Sequence, residues 1–127
     1  MLCRYVNGPA MIKGLHLELT DMCTLKCPGC TRTHIIKNYP KSWHNHNINV
    51  NDLNKFLDIE LNGFPINICG NHGDPIYHPE FNDIIKLLKD RGAYINITTN
   101  GSYRDTNWWE ELNSHLDHND SVVFSMT

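Results

Sequence analysis

Apolar residues recur along the chain with two different spacings, and the alternation of these spacings predicts alternating strands and helices. Leu15, Leu17 and Leu19 alternate with polar residues, which is the period of a half-buried strand. Other stretches carry apolar residues three or four positions apart, which is the spacing of an amphipathic helix. The predicted order is strand 14–20, helix 51–61, strand 64–69, helix 79–91, strand 94–99, helix 106–116 and strand 121–125.

This alternation favours parallel strands that are joined by right-handed crossovers through helices. The predicted fold class is therefore α/β, with one parallel sheet of about four strands and three helices. The sequence indicates a single domain over 1–127, in which an N-terminal arm occupies 1–13 and β/α units occupy 14–127.

Single residues mark the ends and the anchors of the predicted helices. Asn51 or Asp52 is expected to cap the first helix, and Pro79 suits the first position of the second. In the third helix, Trp108 and Trp109 are expected to anchor the helix against the sheet rather than to stack on a ligand.

The stretch 31–50 shows neither spacing and is predicted to be a long irregular connection, of a kind that is usually functional or mobile. Its His44 and His46 have no acidic or thiol partner nearby in the sequence and are interpreted as solvated loop histidines. His16 and Glu18 alternate with the leucines of the first strand. Their side chains face either a polar cavity or solvent, and the pattern leaves both interpretations open.

Composition narrows the class of protein. The chain has 127 residues, a net charge of −3 and 40% hydrophobic residues, which is typical of a globular domain. Its Lys and Arg residues are scattered, so no nucleic-acid partner is predicted. No window has the length and apolarity of a membrane span, and the start lacks the apolar core of a signal peptide. A cytoplasmic protein without a membrane partner is predicted, in which the five cysteines stay reduced.

Three of these cysteines stand together directly after the first predicted strand. Cys23, Cys27 and Cys30 have the spacing C-x3-C-x2-C, beside Pro and Gly rather than among apolar residues. Thiolates on one tight loop suit a soft metal or an iron–sulfur cluster, and three of them on a four-iron cluster would leave one iron open. Cys69 is either a fourth ligand or, as we favour, a buried small residue of the second strand. Cys3 has no such context and is interpreted as incidental.

A structural zinc site is an alternative interpretation of the same cysteines. Together with His34 they offer three sulfurs and one nitrogen at short spacing, which suits tetrahedral zinc. The protein would then be a binding or interaction module rather than an enzyme.

Polar or glycine-rich segments also follow the other three predicted strands. In a parallel α/β sheet, ligands bind beyond the carboxyl ends of the strands, so these segments and the cysteine loop are predicted to meet at one mouth. Zinc alone would not account for that convergence. The residues concerned are Gly73, Asp74 and Pro75 after the second strand, Thr99 and Asn100 at the end of the third, and Ser125 at the end of the fourth.

In this setting the cysteine spacing resembles the signature of the radical S-adenosylmethionine (radical SAM) enzymes. The segments at 73–75, 99–101 and 123–125 resemble those that follow the second, third and fourth strands of this family, and the resemblance extends from about 14 to 127. It implies a partial (β/α) TIM-like barrel. Two positions depart from the family pattern, since Asp74 stands where Glu is common and Gly29 where an aromatic residue is common.

The resemblance implies two cofactors and an activity. The three cysteines would hold a [4Fe-4S] cluster, whose open iron would bind the amino and carboxylate groups of S-adenosylmethionine. Reductive cleavage would release a 5′-deoxyadenosyl radical that abstracts hydrogen from a substrate. The implied cofactor-binding residues are Gly73, Asp74, Pro75, Thr99, Asn100 and Ser125.

The resemblance also bears on partners and completeness. It implies an electron donor such as flavodoxin or ferredoxin. The motifs look like the branch that includes peptide-maturing and molybdenum-cofactor enzymes, so a peptide or protein substrate is favoured, and a glycyl-radical-activating enzyme is the other candidate. The family barrel usually has more strands than the four predicted, so we expect the N-terminal part of a longer protein or a chain that a partner completes. An inactive relative that binds a cluster or a protein partner is a further alternative.

Overall fold

The computed structural model describes residues 12–125, and within them lie four strands and four α-helices, with two of the helices between the first and second strands. Two 3-10 helices, Pro40–Ser42 and Pro75–Tyr77, lie in the connections. The strands and α-helices, in chain order, are β1 (Leu15–Leu17), α1 (Thr31–Asn38), α2 (Val50–Phe56), β2 (Pro65–Ile68), α3 (Phe81–Asp90), β3 (Tyr94–Thr99), α4 (Thr106–His115) and β4 (Ser121–Phe124).

The four strands form one sheet in the order β1-β2-β3-β4, and each neighbouring pair is parallel. In the shared register, Ile68 lies opposite Leu17 of β1 and opposite Ile97 of β3. The predicted α/β class with a parallel sheet is thereby confirmed. Parallel order also places the carboxyl ends of all four strands at one edge, because each connection returns to the opposite edge before the next strand starts.

The core lies between one face of the sheet and the helices. Ile66 and Ile68 of β2 and Ile95 and Ile97 of β3 are fully buried there, because alternate residues of a strand point to the same face. Helix α3 covers them with its buried stripe, which consists of Phe81, Ile84, Ile85 and Leu88.

The two tryptophans of α4 pack against this core, as predicted. The Trp108 ring lies 5.7 Å from the ring of Phe81, and the Trp109 ring lies 5.5 Å from that of Phe124. Both distances are within the range of favourable aromatic pairs. Helix α4 is therefore anchored both to α3 and to the last strand of the sheet.

The prediction of an irregular connection over 31–50 is wrong in its first part, and the helix count rises from three to four. Helix α1 occupies this part and buries none of its side chains, so it has no apolar stripe for a sequence pattern to reveal. The extended backbone of Cys30 precedes it, and the Cys30 carbonyl accepts a hydrogen bond from the amide of His34 at 3.0 Å. The start of α1 is thus set by the cysteine loop before it.

Two predicted helix starts and one strand length also differ. The cap of α2 is Asn49, whose side chain accepts from the amides of both Asn51 and Asp52, so neither of those residues is the cap. Helix α3 begins at Phe81, so Pro79 precedes the helix. β1 covers three residues of the predicted 14–20. Beyond it the chain makes an isolated antiparallel bridge from Thr20 to Asn47, which ends its parallel pairing.

The amino-terminal edge of the sheet is fastened by a buried ion pair. Lys89 of α3 places its ammonium 2.7 Å from a carboxylate oxygen of Asp120, whose side chain is 1% exposed. Asp120 also accepts from the amide of Ile95 at 2.7 Å and from the amide of Asp117 at 2.8 Å. One carboxylate therefore joins α3, the start of β3 and the turn before β4, at the edge opposite the cysteine loop.

Within residues 12–125, no helix is both long and apolar enough to cross a membrane. The N-terminal arm expected over 1–13 lies almost entirely outside the described residues, as does Cys3.

Candidate functional site

The three cysteines lie on the loop between β1 and α1. The amide of Cys30 donates to the carbonyl of Cys27 at 3.1 Å, which closes a tight turn through Pro28 and Gly29. A Cβ atom added at Gly29 would meet no other atom within 4 Å. The turn that carries the second and third cysteines therefore lies at the surface, while the cysteines themselves are partly buried.

Arg32, in the first turn of α1, holds the loop from one side. Its Nε donates to the carbonyl of Asp21 at 3.1 Å, and its Nη1 donates to the carbonyl of Leu25 at 3.3 Å. The guanidinium carbon also lies 6.0 Å from the centre of the Trp43 ring. These contacts tie the backbone on both sides of Cys23 to the helix that follows.

Cys23 is the cysteine with the most developed surroundings. Its sulfur accepts a hydrogen bond from the amide of Leu25 and another from the side-chain amide of Asn100, each at 3.4 Å. Burial raises the pKa of this thiol, and the nearby Asp74 carboxylate acts in the same direction. Two N–H donors directed at one sulfur are the kind of outer contact that tunes a metal-bound thiolate.

Asp74 joins the segments that follow β2 and β3. Its buried carboxylate accepts from the Thr99 hydroxyl at 2.7 Å, from the Asn100 amide at 2.7 Å and from the Ile76 amide at 3.2 Å. Its own amide donates to the carbonyl of Met22 at 2.8 Å, which reaches the cysteine loop. Through its carboxylate and its amide, Asp74 therefore joins the turn after β2 to the end of β3 and to the cysteine loop.

Gly73 is required by the close approach of two main chains. A Cβ atom on Gly73 would lie 2.0 Å from the carbonyl oxygen of Thr20 and 2.9 Å from the Cα of Asp21. No larger residue fits without moving the backbone just before the cysteines. The glycine-rich segment thus lies directly against the start of the cysteine loop.

Asn100 links the cysteine loop to the turn after β3. Its side-chain oxygen accepts from the amide of Ser102 at 2.8 Å and from the Ser102 hydroxyl at 2.5 Å. The Ser102 hydroxyl in turn lies 2.6 Å from the hydroxyl of Thr24, the residue after the first cysteine. A continuous hydrogen-bonded chain therefore runs from Thr24 through Ser102 and Asn100 to Cys23.

Most of the predicted site residues are thus brought together. Direct hydrogen bonds connect Cys23, Asp74, Thr99 and Asn100, and Gly73 reaches the cysteine loop by main-chain contact. Ser125 is attached more loosely. Its amide donates to the carbonyl of Thr99 at 2.8 Å, and its exposed side chain makes a longer bond of 3.3 Å to the same atom. Pro75 is buried at the start of a 3-10 helix.

The thiols of the cysteine loop are not arranged as a preformed metal centre. No three His, Cys, Asp or Glu side chains in the described part of the chain are placed so as to hold a metal ion. The donor chemistry nevertheless fits a cluster, because three thiols share one loop of eight residues and amide donors already face one sulfur. The zinc alternative needs His34 as its fourth ligand. In the structure, Nδ1 of His34 lies 3.2 Å from the side-chain amide of Asn38.

The sheet face opposite the core is polar. Across the register, His16, Asn67, Asn96 and Ser121 stand side by side on the four strands. Asn96 donates to the side-chain oxygen of Asn67 at 3.1 Å, and the Ser121 hydroxyl donates to that of Asn96 at 2.8 Å. In this row His16, Asn67 and Ser121 are exposed and Asn96 is partly buried.

Cys69 belongs to this polar face, so its interpretation as a buried strand residue is wrong. The residue follows the last position of β2, where alternation directs it away from the core, and its side chain is only partly buried. Its sulfur lies 3.4 Å from Nε2 of His16. Glu18, the other polar residue of this region, accepts from the amide and the side chain of Asn71. His16 and Glu18 are both exposed on this face.

The sequence reasoning missed the acidic partner of a loop histidine. Asp21 accepts from the amide of His46 at 2.7 Å, and its second oxygen lies 3.3 Å from Nδ1 of the imidazole. The expectation that His46 has no acidic partner is thus wrong. The side chains of His44 and His46 are both exposed, as predicted. No signal pointed to this pair, because 25 residues separate the two partners.

Comparison with known proteins gives a limited relationship. No protein-family model matches the chain, and no solved structure matches it. The chain is 29% identical over 102 residues to the tungsten-containing aldehyde ferredoxin oxidoreductase cofactor-modifying protein of Pyrococcus furiosus. It is 32% identical over 89 residues to a Methanocaldococcus jannaschii protein described provisionally as a glycyl-radical enzyme activating enzyme.

Both alignments cover most of this chain and a minor part of the relative. The first covers 80% of this chain and 27% of the relative, and the second covers 69% and 34%. The chain therefore spans about a third or less of the length of the relatives it matches. Both relatives are named for acting on another enzyme or on its cofactor.

Proposed function

We propose that this chain forms part of a radical SAM enzyme, with a [4Fe-4S] cluster on Cys23, Cys27 and Cys30 and with S-adenosylmethionine as the second cofactor. One observation carries the proposal: the side chain of Asn100, from the segment after β3, donates to the sulfur of Cys23. Two motifs that lie 77 positions apart in the sequence, and that the resemblance assigns to one site, are therefore in direct contact.

When bound, the two cofactors would supply one-electron chemistry at the sulfonium and the abstraction of hydrogen from a substrate. The residues of this chain position and tune that centre. Leu25 and Asn100 direct N–H groups at Cys23, and such bonds stabilise a sulfur that carries negative charge. Cys27 and Cys30 are fixed relative to each other by the hydrogen bond that closes their turn.

Asp74 and Thr99 act by positioning. Their side chains bond to each other and to main-chain amides, so we assign cofactor contact to the backbone of 73–75 rather than to these two side chains. Main-chain carbonyls are suitable acceptors for an ammonium group such as the amino group of a methionine. Ser125, at the end of the described chain, has an exposed hydroxyl that suits a further polar contact.

The polar face of the sheet supports the proposal of a partial (β/α) barrel. In such a barrel one face of the strands lines the interior, and an interior that holds a site can be polar. The row His16, Asn67, Asn96 and Ser121 is hydrogen-bonded across three of the four strands, which suits a lining and not a helix-covered surface.

For the substrate, we propose a peptide or protein. The resemblance favours peptide maturation or glycyl-radical activation, and the relative from Methanocaldococcus jannaschii is named an activating enzyme for a glycyl-radical enzyme. A protein substrate agrees with the exposure of His16, Asn67 and Ser121 on the polar face.

The test is anaerobic reconstitution of the full chain with iron and sulfide, followed by reduction with dithionite in the presence of S-adenosylmethionine. We expect brown protein with about four irons per chain, the number for one cubane cluster, and release of 5′-deoxyadenosine. Cys27→Ala should abolish both signals while the circular dichroism spectrum of the helices is retained. Cys69→Ala is the matched control and should retain both signals.

The same experiment separates the alternatives. Colourless protein with one tightly bound zinc would favour the structural zinc module over the enzyme. Brown protein that binds a full cluster but never releases 5′-deoxyadenosine would favour the inactive cluster-binding relative.

A further inference from the structure

Tyr103, in the turn after β3, has a backbone conformation that its side chain disfavours. Among the described residues other than glycine, it alone has a positive φ angle, of +91°. Residues with a Cβ atom rarely adopt such an angle, whereas glycine adopts it freely. A bulky residue keeps this conformation only where the surrounding structure holds it there, and such residues are concentrated at functional sites. The contacts of Tyr103 must therefore outweigh the strain in its backbone.

Two contacts hold Tyr103 against the segment that follows the glycine-rich turn. Its ring stacks on the ring of Tyr77, with 4.9 Å between the ring centres and an angle of 21° between the planes. The guanidinium carbon of the next residue, Arg104, lies 4.8 Å from the centre of the Tyr103 ring. Arg104 also donates to the carbonyls of Ile76 at 2.8 Å and of His78 at 2.9 Å. Because these are the two neighbours of Tyr77, the turn after β3 is fastened to the segment around that residue.

The strained residue stands next to the group that orients the side chain of Asn100. The main-chain amide of Ser102 donates to Oδ1 of Asn100 at 2.8 Å. Nδ2 of the same carboxamide is therefore left to face the sulfur of Cys23, at 3.4 Å. Since Tyr103 directly follows Ser102, a shift of Tyr103 towards an unstrained φ angle would move the amide that fixes Asn100.

Stability alone does not explain a tyrosine at position 103. The side chain of Tyr103 is 59% exposed, so burial of its ring adds little to the core. A glycine at the same position would have no backbone strain. The tyrosine is therefore better explained by the segment that its ring holds in place.

We propose that the stack of Tyr103 on Tyr77 positions the side-chain amide of Asn100 at the sulfur of Cys23; this inference rests on the proposed function. The two segments that meet in this stack are those that also meet where Asp74 accepts from the Asn100 amide. The stack lies three positions further along each of them and joins them a second time. The two tyrosines act on the proposed cluster only through Asn100, so they are positioning residues and not catalytic ones.

The strain at Tyr103 provides the test. Tyr77→Ala removes the stack and leaves Tyr103 strained, so the turn should move to relieve the strain and draw the Asn100 amide away from the sulfur. Tyr77→Ala combined with Tyr103→Gly also removes the stack, but glycine adopts the angle freely, so the turn should keep its place. Tyr77→Phe retains the stacked ring. Tyr94→Ala, which changes an exposed tyrosine at the start of β3, is the control.

Two measurements on the full chain follow these variants. Hydrogen exchange of the Ser102 amide, measured by NMR, reports the turn without any cofactor. Redox titration of the reconstituted protein reports the Asn100 donor, because loss of an N–H donor at a cluster sulfur lowers the midpoint potential. We expect Tyr77→Ala to speed the exchange several-fold and to lower the potential. The double variant, Tyr77→Phe and Tyr94→Ala should keep the exchange rate and the potential of the wild type.

The outcomes separate this inference from the proposed function. A double variant that is at least as perturbed as Tyr77→Ala would indicate additive structural damage and overturn the positioning role. Faster exchange in Tyr77→Ala with an unchanged potential would also overturn it, because the turn would then move without effect on the cluster. If even the wild type loads no cluster, the proposed function is contradicted, while restored protection of the Ser102 amide in the double variant would still support the stack as the contact that holds the turn.

Discussion

The hydroxyl of Thr99, the last residue of β3, donates a 2.7 Å hydrogen bond to the buried carboxylate of Asp74, in the turn after β2. This bond joins the ends of neighbouring strands at the edge where the cysteine loop lies. The same carboxylate accepts from the amide of Asn100, so it also fixes the residue whose side chain contacts Cys23. The sequence indicated Asp74 as a cofactor-binding residue, but its carboxylate instead bonds to the other residues of the site and holds them together.

Replacing Asp74 should therefore destabilise the fold as well as the site. Asp74→Asn turns one acceptor oxygen into a donor that faces either the Thr99 hydroxyl or the Asn100 amide, and we expect a loss of about 2–3 kcal/mol in the free energy of unfolding. Thr99→Val removes two hydrogen bonds, the one to Asp74 and the one from the Gly101 amide, and should cost about 1–2 kcal/mol, less than the loss of the carboxylate that three donors share. Urea denaturation measures both. Equal effects of the two substitutions would contradict a central role for the carboxylate.

The contact of Gly73 with Thr20 predicts a sharp difference between two glycines. Gly73→Ala places a Cβ atom 2.0 Å from the Thr20 carbonyl and must displace the chain that leads into the cysteines. We expect cluster loading, measured as iron and sulfide per chain after reconstitution, to fall several-fold. Gly29→Ala is the matched control, since it lies inside the cysteine motif but meets no atom within 4 Å. Equal loading of both variants would show that the approach of Gly73 is unimportant for the loop.

The sheet was predictable because its signals are local. Alternating or continuous apolar runs gave β2, β3 and β4 to within a residue or two, and the buried stripe of α3 was readable from the sequence. Helix α1 was not readable, because it buries no side chain and depends on the turn at Cys30. Whether such a helix forms depends on its contacts with the rest of the fold, and the spacing of apolar residues in the sequence does not reveal those contacts.

The sequence was enough to predict which residues lie at the site, but not what each of their side chains contacts there. Parallel strand order was enough to place 73–75 and 99–100 beside the cysteine loop. The roles depend on which acceptor meets which donor, and such pairs are far apart in the sequence: Asp74 with Thr99, and Asp21 with His46. Only the three-dimensional structure shows that the Asp74 carboxylate is used inside the protein.

The ion pair of Lys89 and Asp120 should control stability at the other edge of the sheet. Burial lowers the pKa of Lys89, but hydrogen bonds from its ammonium to Asp120 and Asp117 outweigh this, so the pKa lies above its usual value of 10.5. Lys89→Met should cost about 2–3 kcal/mol of unfolding free energy, less than the roughly 3–5 kcal/mol of a fully buried pair, because Asp120 keeps two amide donors.

The sign of the pKa change of Lys89 fixes how this loss varies with pH. A raised pKa in the folded state means that the stabilisation is complete below the unfolded value of 10.5 and disappears as the pH rises through the folded value. The difference between the wild type and Lys89→Met in urea denaturation should thus be constant near neutral pH and shrink above pH 10.5. Lys86→Met, which removes an exposed pair with Asp90, is the control and should show little change at any pH. A difference that grows with pH would contradict the assignment.

The hydrogen bond from Asn100 to Cys23 should set the reduction potential of the proposed cluster. An N–H donor at a cluster sulfur stabilises the reduced, more negative state, so Asn100→Ala should lower the midpoint potential by some tens of millivolts. Ser102→Ala is the control, because it removes the hydroxyl bonds to Asn100 and Thr24 but leaves the Asn100 donor at the sulfur. Redox titration followed by electron paramagnetic resonance measures both variants. An unchanged potential in Asn100→Ala at full cluster loading would show that this amide does not act on the cluster. An equal shift in Ser102→Ala would show that the conformation of the turn, and not the Asn100 donor, sets the potential.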